Sequence, residues 1–162
     1  MRLSCLSDPF PLWSSQLAGL DPITEVPVTR WDHDKYYSAE EGDWKNFKVN
    51  VKHCSCIDGI ELFDAKFFRI SPAETKGCDP MQRQILEVGY LALASAGCTQ
   101  KMLLQSLTGV YVAANLSEWP FVDSGPAEEG GCAQRSAGTG QAGSIMSNRF
   151  SFIFGMQGPS LT

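Results

Sequence analysis

Apolar residues recur every three or four positions between Asp79 and Gly97, the strongest such pattern in the chain. A helix with this spacing is apolar on two sides and is expected between layers of a fold. Asp79 followed by Pro80 is a typical helix start, and Gly97 predicts a left-handed helix end. The pattern therefore predicts a core helix from Asp79 to Ala96. Its two stripes are Met81, Ile85, Val88 and Ala92, and Leu86, Tyr90 and Leu93.

Two shorter segments ahead of this helix carry helical signals. Residues 71–74 read Ser-Pro-Ala-Glu, a capping box in which the serine accepts from first-turn amides and the glutamate reaches back. Phe63 and Phe67 are four positions apart, so a helical turn would stack them on one face. A short helix is therefore predicted after Ser71, preceded by an aromatic cluster.

The N-terminal third is less regular. Leu12, Trp13 and Leu17 have helical spacing, and Gly19 is a plausible stop. The aromatic-rich residues 31–37 predict a further helix, whereas the polar residues 40–46 indicate a loop. Residues 23–28 are apolar, but their Pro27 argues against a central strand.

The C-terminal third combines strand and helix patterns. Residues 109–114 are β-branched and aromatic before small residues, which predicts a strand buried on both faces. Residues 124–143 are rich in Gly, Ser and Ala and indicate a loop. Residues 144–154 begin as a helix, and residues 158–162 predict a turn entering a strand. Because helices and strands interleave along the chain, the class is α/β with a layered arrangement.

The 162 residues carry a net charge of −5, and the 13 Lys and Arg residues are scattered. Nucleic acid is therefore not an expected partner, because phosphate binding needs clustered positive charge. No apolar run approaches the roughly 18 residues of a membrane helix, and prolines interrupt residues 1–10, so neither a span nor a secretory signal is predicted. A cytoplasmic location is expected.

The six cysteines include no C-x-x-C pair, so reduced thiols are expected rather than a disulfide framework. The His53-Cys54-Ser55-Cys56 segment could be half of a metal site, but too few further ligands exist, and a solvent-facing loop is the preferred interpretation. Neither Cys98 nor Cys132 has the helix N-terminus or paired histidine that activates a thiolate. No metal or directly bound cofactor is predicted.

Residues 138–143 spell G-x-G-x-x-G, which suggests a dinucleotide site when a strand precedes it. Residues 131–136 do not have the hydrophobic pattern expected of that strand. Close packing of small residues ahead of a helix is the preferred interpretation, and a dinucleotide-binding domain stays as an alternative.

Six segments, in order, resemble ketosynthase domains of type I polyketide synthases, members of the polyketide and fatty-acid condensing enzymes. Residues 63–74 are similar to F-D-A-x-F-F-x-I-S-P-x-E, and residues 79–88 to D-P-Q-Q-R-x-x-L-E-V. The other four are residues 13–37, 108–112, 143–151 and 158–162. Mild departures are Cys78, where the family has methionine, and Met81, where it has glutamine.

The resemblance implies a thiolase-like α-β-α-β-α fold, of which residues 1–162 would form an incomplete N-terminal half and one partial domain. It implies a homodimer that condenses acyl and malonyl units carried on the phosphopantetheine arm of an acyl carrier protein. The family's opening strand would survive at most as a remnant in residues 1–10. The family's nucleophilic cysteine, in a D-T-A-C-S-S motif, would follow Thr162, and its two histidines would come later still.

The resemblance therefore assigns no catalytic residue to this chain and implies that it is inactive alone. It places Leu116 at the position that gates the acyl pocket, and Thr139 and Gln141 near the dimer partner's pocket. For Leu116, an ordinary core leucine is an equal alternative. A non-catalytic interaction or decoy subunit that uses the family's dimer surface is the alternative function.

Overall fold

The computed structural model describes residues 9–115, 119, 139–140 and 142–162, with side chains from Trp13 onward. The chain divides into two compact units, Met1–Gly59 and Ile60–Thr162. Each unit has its own elements and its own pair of short strands.

The first unit begins with helix α1, Pro9–Leu17, which ends at Gly19 with φ of +64°. Strand β1, Thr24–Glu25, pairs antiparallel with β2, His53–Cys54. The prediction of α1 and its stop is confirmed. Pro9 and Phe10 are helical, so these two residues do not belong to a remnant of the family's opening strand.

Three local expectations in the first unit need correction. Residues 31–37 contain only a 3₁₀ turn, His33–Lys35, rather than a full helix. The supposed loop at 40–46 holds a second 3₁₀ turn, Asp43–Asn46, between two left-handed residues. His53 and Cys54 lie in β2, not in a loop, because the partner strand β1 supplies the backbone hydrogen bonds that sequence alone does not show.

The second unit contains four helices and two strands among its described residues. The helices are α2, Pro72–Gly77; α3, Pro80–Ser95; α4, Gln100–Leu103; and α5, Ile145–Phe154. Strands β3, Val110–Tyr111, and β4, Ser160–Leu161, pair in parallel. The predictions of α3, of the helix within 144–154 and of the strand after Gly158 are confirmed.

Side-chain caps fix where α2 and α3 begin. The Ser71 hydroxyl accepts a hydrogen bond from the Glu74 amide at 3.2 Å, and Asp79 Oδ1 accepts from the Met81 amide at 2.6 Å. Gly97 has φ of +77° just beyond α3, as its position predicts. Each cap is a local sequence signal, which explains why the starts and ends of these helices are readable in advance.

The core of the second unit lies where α3 and α5 meet. Gly89 permits this close approach, because a Cβ there would collide with the Phe150 ring. The Phe154 ring stacks on Tyr90 with centroids 5.8 Å apart and meets the Phe68 ring edge-on at 6.4 Å. The buried cluster consists of Phe68, Ile70, Leu86, Leu103, Phe150, Phe154 and Met156.

Burial along α3 differs from the predicted two-stripe pattern. Leu86 is buried, but so are the polar side chains of Gln82 and Arg83, whereas Leu91 and Ala92 are exposed. Helical periodicity does not reveal the partners of these side chains. The Gln82 amide donates to the Thr139 and Ala142 carbonyls, and the Arg83 guanidinium lies over the Trp119 ring at 5.9 Å from its centroid.

Two further packing predictions are wrong. Phe63 stacks on Phe68, with centroids 5.2 Å apart, and Phe67 meets Phe68 edge-on at 4.9 Å, because residues 65–69 form turns rather than a helix. Strand β3 is not buried on both faces: Tyr111 is 68% exposed. Since successive strand residues point to opposite faces, α5 covers only one face of this sheet among the described residues.

Candidate functional site

An ion pair joins α2 to α5. Arg149 Nη1 donates to Glu74 Oε1 at 2.6 Å, and only 9% of the arginine side chain is exposed. Arg149 Nη2 also donates to the Thr139 carbonyl at 3.3 Å. The Glu74 carboxylate therefore binds this distant arginine instead of completing the capping box at Ser71. One guanidinium thus joins α5 to the segment at Thr139 and to α2, which is 75 positions away in sequence.

The buried amide of Gln82 anchors the segment ahead of α5. Its Nε2 donates to the carbonyls of Thr139, at 3.2 Å, and Ala142, at 3.3 Å. The backbone amide of Asp79 donates to the Gly140 carbonyl at 2.9 Å, so the start of α3 also binds this segment. Buried polar groups cost stability unless they are paired, and here each of the three carbonyls has a donor.

The C-terminal residues of the chain are fixed to α5 by hydroxyl groups. Thr162 Oγ1 accepts from the Ser147 amide at 3.2 Å and lies 2.8 Å from the Ser147 hydroxyl. One helical turn later, the hydroxyls of Ser151 and Ser160 are 2.6 Å apart. Ser144, the residue just before α5, makes no side-chain hydrogen bond that would cap the helix. Thr162 therefore supplies the cap for an amide in the first turn of α5, from the far end of β4.

A glycine lets β4 enter this arrangement. A Cβ at position 158 would collide with the Thr108 backbone, just before β3. The two strands then pair with Val110 opposite Ser160 and Tyr111 opposite Leu161. The path of the chain through β4 is thus set by its pairing with β3 and by the hydroxyl contacts with Ser147 and Ser151 of α5.

A cavity of about 670 Å³ lies beside the ion pair. It is lined by apolar side chains, among them Phe67, Ile145 and Phe152, together with Glu74, Arg149 and Thr139. Phe152 is 86% exposed. A mostly apolar cavity with a few convergent polar groups has the composition of a binding site.

Of the three predicted site residues, the structure describes one. Thr139 lines this cavity, and its carbonyl is bound by Gln82 and Arg149. Leu116 and Gln141 lie outside the described residues, so their predicted roles stay predictions.

The thiols within the described residues differ in setting. Cys78 is fully buried, and burial raises the pKa of its thiol, which keeps it protonated and unreactive. Cys98 is half-buried beside the core. In the described part of the chain, no three His, Cys, Asp or Glu side chains are grouped so as to hold a metal ion.

The glycine pattern at 138–143 lies partly outside the described residues. Gly140 packs against Gly77, whose carbonyl oxygen would be 2.6 Å from an added Cβ. The carbonyls of Thr139 and Ala142 point at Gln82. These contacts show close packing at Gly140, and the dinucleotide-binding alternative stays a prediction.

The profile of the family described as "Beta-ketoacyl synthase, N-terminal domain" matches residues 1–162. The chain belongs to the beta-ketoacyl synthase family. The expected resemblance is thereby confirmed, and the similarity to solved ketosynthases confirms the thiolase-like α/β fold, present here in part.

Curated relatives of this chain are much longer synthases. Trichosetin synthetase PKS-NRPS1 of Gibberella fujikuroi is 35% identical over 157 residues, which are 96% of this chain and 4% of that protein. Polyketide synthase GfsA of Streptomyces halstedii is 33% identical over 158 residues, 97% of this chain and 2% of that protein. The chain thus spans a small fraction of the length of these relatives.

Solved ketosynthases share the fold. A mutant of the ketosynthase from module 6 of the bacillaene synthase of Bacillus subtilis 168 matches with a TM-score of 0.77 and 26% identity, over 98% of this chain and 24% of that one. The oxazolomycin ketosynthase domain OzmH KS7 of Streptomyces albus JA3453 has a TM-score of 0.77 and 24% identity, over 99% and 27%. The helices of this structure can also be compared with the thickness of a membrane. Within the described residues, no helix is long and apolar enough to cross a lipid bilayer.

We call α5, together with α2 and β4 attached to it, the platform. Sequence reasoning missed the residues that build it. The pairs Glu74–Arg149 and Ser147–Thr162 are distant in sequence and carry no local signal. Ser147 and Ser151 did carry one: two hydroxyl residues four positions apart on a helix share one face, and that face binds Ser160 of β4 and Thr162.

Proposed function

We propose that residues 1–162 form the N-terminal platform of a ketosynthase that joins acyl and malonyl thioesters by decarboxylative condensation. This is an acyltransferase reaction of the 3-oxoacyl synthase type. The acyl chain is taken up as a thioester on a cysteine, the malonyl unit loses CO₂, and the resulting carbanion attacks the acyl carbonyl. The residues of this chain position the cysteine-bearing segment and line the approach to it.

The observation that carries the proposal is the attachment of β4 to α5. The family places its nucleophile a few residues beyond the Gly-Pro-Ser segment, which here includes β4. In this chain Ser147, Ser151 and Gly158 fix the path of that strand, and Thr162 caps α5. A nucleophile held to about 1 Å needs such support from rigid elements.

No residue in 1–162 is proposed as a catalyst. The sequence contains no D-T-A-C-S-S motif, and its histidines, His33 and His53, both lie in the first unit, away from the β4 platform in sequence. The buried Cys78 does not serve as an alternative nucleophile, because its pKa is raised by burial. We therefore expect residues 1–162 by themselves to bind no acyl group covalently.

The expected partners follow from the same assignment. Acyl substrates arrive on the phosphopantetheine arm of an acyl carrier protein, without a metal or a soluble cofactor bound by these residues. A second ketosynthase copy is the proposed occupant of the surface around Phe152, which is exposed beside the 670 Å³ cavity lined by Thr139. Residues 1–162 are then one part of a larger condensing domain in the cytoplasm.

A chimera tests the function. Residues 1–162 would replace the corresponding N-terminal segment of the bacillaene module 6 ketosynthase, in its unmutated form, and condensation would be followed as malonyl-dependent chain extension by mass spectrometry of carrier-protein products. We expect extension by the chimera, and at least about a tenfold loss in a Gly158→Val chimera, because the β4 path is displaced. Ser144→Ala, which removes no hydrogen bond given to the helix, is the matched control.

Failure of a soluble, dimeric chimera to extend any acyl chain would argue against the proposal. Equal rates for the Gly158→Val and Ser144→Ala chimeras would show that the β4 attachment does not position the reactive segment.

A further inference from the structure

Two thiols in the first unit lie in contact. Cys54 Sγ and Cys56 Sγ are 3.2 Å apart, and both side chains are half-buried. Cys54 is the last residue of β2, and Cys56 follows two positions later. The contact between the sulfurs therefore lies directly at the end of a paired strand.

The backbone on both sides of the pair is held in place. Cys54 pairs with Thr24 across the β1–β2 ladder. After the pair, Arg30 Nη2 donates to the Ile57 carbonyl at 2.6 Å and lies 3.7 Å from Asp58 Oδ1. One end of the Cys-Ser-Cys segment is thus fixed by a strand and the other by a guanidinium.

Small reagents can reach this pair. Cys54 and His53 line an open cavity of about 800 Å³ in the first unit. Its walls include the side chains of Trp31, Trp44 and Val49. A tripeptide-sized molecule therefore has space to approach the Cys54 sulfur, whereas the buried Cys78 offers none.

We propose that Cys54 and Cys56 form a dithiol site that reacts with small disulfides of the glutathione disulfide class and closes reversibly into an intrachain disulfide. The site is separate from the condensation platform in the second unit. It does not depend on the proposed condensation activity.

The reaction balances as two thiol–disulfide exchanges. One of the two cysteines, as its thiolate, attacks one sulfur of the small disulfide, a mixed disulfide forms at that cysteine, and one small thiolate leaves and takes up a proton. The other cysteine then loses its proton and attacks the protein sulfur of the mixed disulfide, and the second small thiolate leaves and is protonated. Two protein thiols are oxidised and one small disulfide is reduced to two thiols.

The contact between the two sulfurs favours the second exchange. Whichever sulfur reacts first, the other thiol already lies next to the sulfur that it must attack.

Equilibration of the chain in glutathione buffers of graded ratio tests the proposal. After acid quenching, alkylation and trypsin digestion, the peptide 53–66 contains both cysteines and no others. We expect this peptide to lack two hydrogens and carry no alkyl group at a disulfide-to-thiol ratio at least about tenfold lower than the ratio that modifies Cys98. In urea, this preference should disappear.

Two serine variants test the second exchange. Cys54→Ser should accumulate a mixed glutathione disulfide on Cys56, because the resolving thiol is gone. Cys56→Ser should likewise accumulate a mixed disulfide on Cys54. Three results would overturn the proposal: modification of 53–66 only at the ratio that modifies Cys98, a persistent mixed disulfide in the unmutated chain, or a preference that survives in urea.

Discussion

The two units of the chain are built in different ways. In the first unit, Val26 is the one buried hydrophobic side chain among those the structure describes, and the regular elements after α1 are two-residue strands and 3₁₀ turns. In the second, a 16-residue helix and a 10-residue helix enclose a cluster of aromatic and aliphatic side chains. The first unit is held mainly by backbone pairing and surface charges, the second by packing.

The two proposed chemical roles fall in different units. The packed second unit contains the α5–β4 attachment that the condensation proposal requires, where small displacements have large effects. The loosely packed first unit contains the dithiol pair, whose reaction needs the two sulfurs to move toward each other. Local regions with few buried apolar contacts open most easily, so a reactive pair is well placed there.

The largest expected effect comes from removing the central aromatic ring. Phe154→Ala should lower the free energy of unfolding of the second unit by about 3–5 kcal/mol, because the ring is fully buried and contacts three other aromatic rings. Far-UV circular dichroism in urea reports this helical unit. Tryptophan fluorescence reports mainly the first unit, which contains Trp13, Trp31 and Trp44.

The matched change in the first unit is Val26→Ala, with an expected loss of about 1–2 kcal/mol. It should move the fluorescence transition and leave the dichroism transition in place. Equal shifts of both transitions by either variant would mean that the two units unfold as one.

The next largest effect is expected at the α2–α5 ion pair. Arg149→Leu should destabilise the second unit by about 1–3 kcal/mol, because it leaves the Glu74 carboxylate without its partner and the Thr139 carbonyl with only the Gln82 donor. Glu74→Gln should cost about 1 kcal/mol or less, since 38% of the Glu74 side chain is exposed to water. Urea transitions followed by circular dichroism measure both, and a larger loss for Glu74→Gln would contradict the account.

A smaller effect is expected at the cap that Thr162 provides. Thr162→Val keeps the shape of the side chain but removes the hydroxyl bound to Ser147, at a cost of about 1 kcal/mol. Amide hydrogen exchange in the first turn of α5 should become faster. Ser144→Ala is the control and should leave this exchange unchanged, because Ser144 makes no side-chain cap.

The smallest effect concerns pH and the first unit. A hydrogen bond and ion pair with Lys52 hold the pKa of Asp34 below its usual value. A carboxyl whose pKa is depressed on folding stabilises the fold above its unfolded pKa, and this contribution disappears as the pH falls through the folded value. Asp34→Asn should therefore lower the fluorescence midpoint in urea slightly at pH 7, and the difference should vanish toward pH 3. A difference that grows on acidification would contradict this sign.

What could be predicted from sequence was mostly local. The caps at Ser71 and Asp79, the stops at Gly19 and Gly97 and the helix α5 depend on neighbouring residues, and each was found where expected. The polar contacts ahead of α5 could not be predicted. Gln82 binds Thr139 and Ala142, which are about 60 positions away in sequence, and no local sequence pattern links them. The exposure of Tyr111 could not be predicted either, because the composition of a strand does not show which of its faces is covered.

Locating the acyl thioester most directly tests the central claim, that this chain supplies the platform and not the nucleophile. The isolated chain and the chimera would each be incubated with an acyl-carrier-protein thioester that the parent ketosynthase accepts, digested, and analysed by mass spectrometry. The account predicts an acyl group on the cysteine that follows the β4 segment in the chimera and none on the six cysteines of residues 1–162. An acyl group on one of those six cysteines, transferred onward to malonyl, would contradict it.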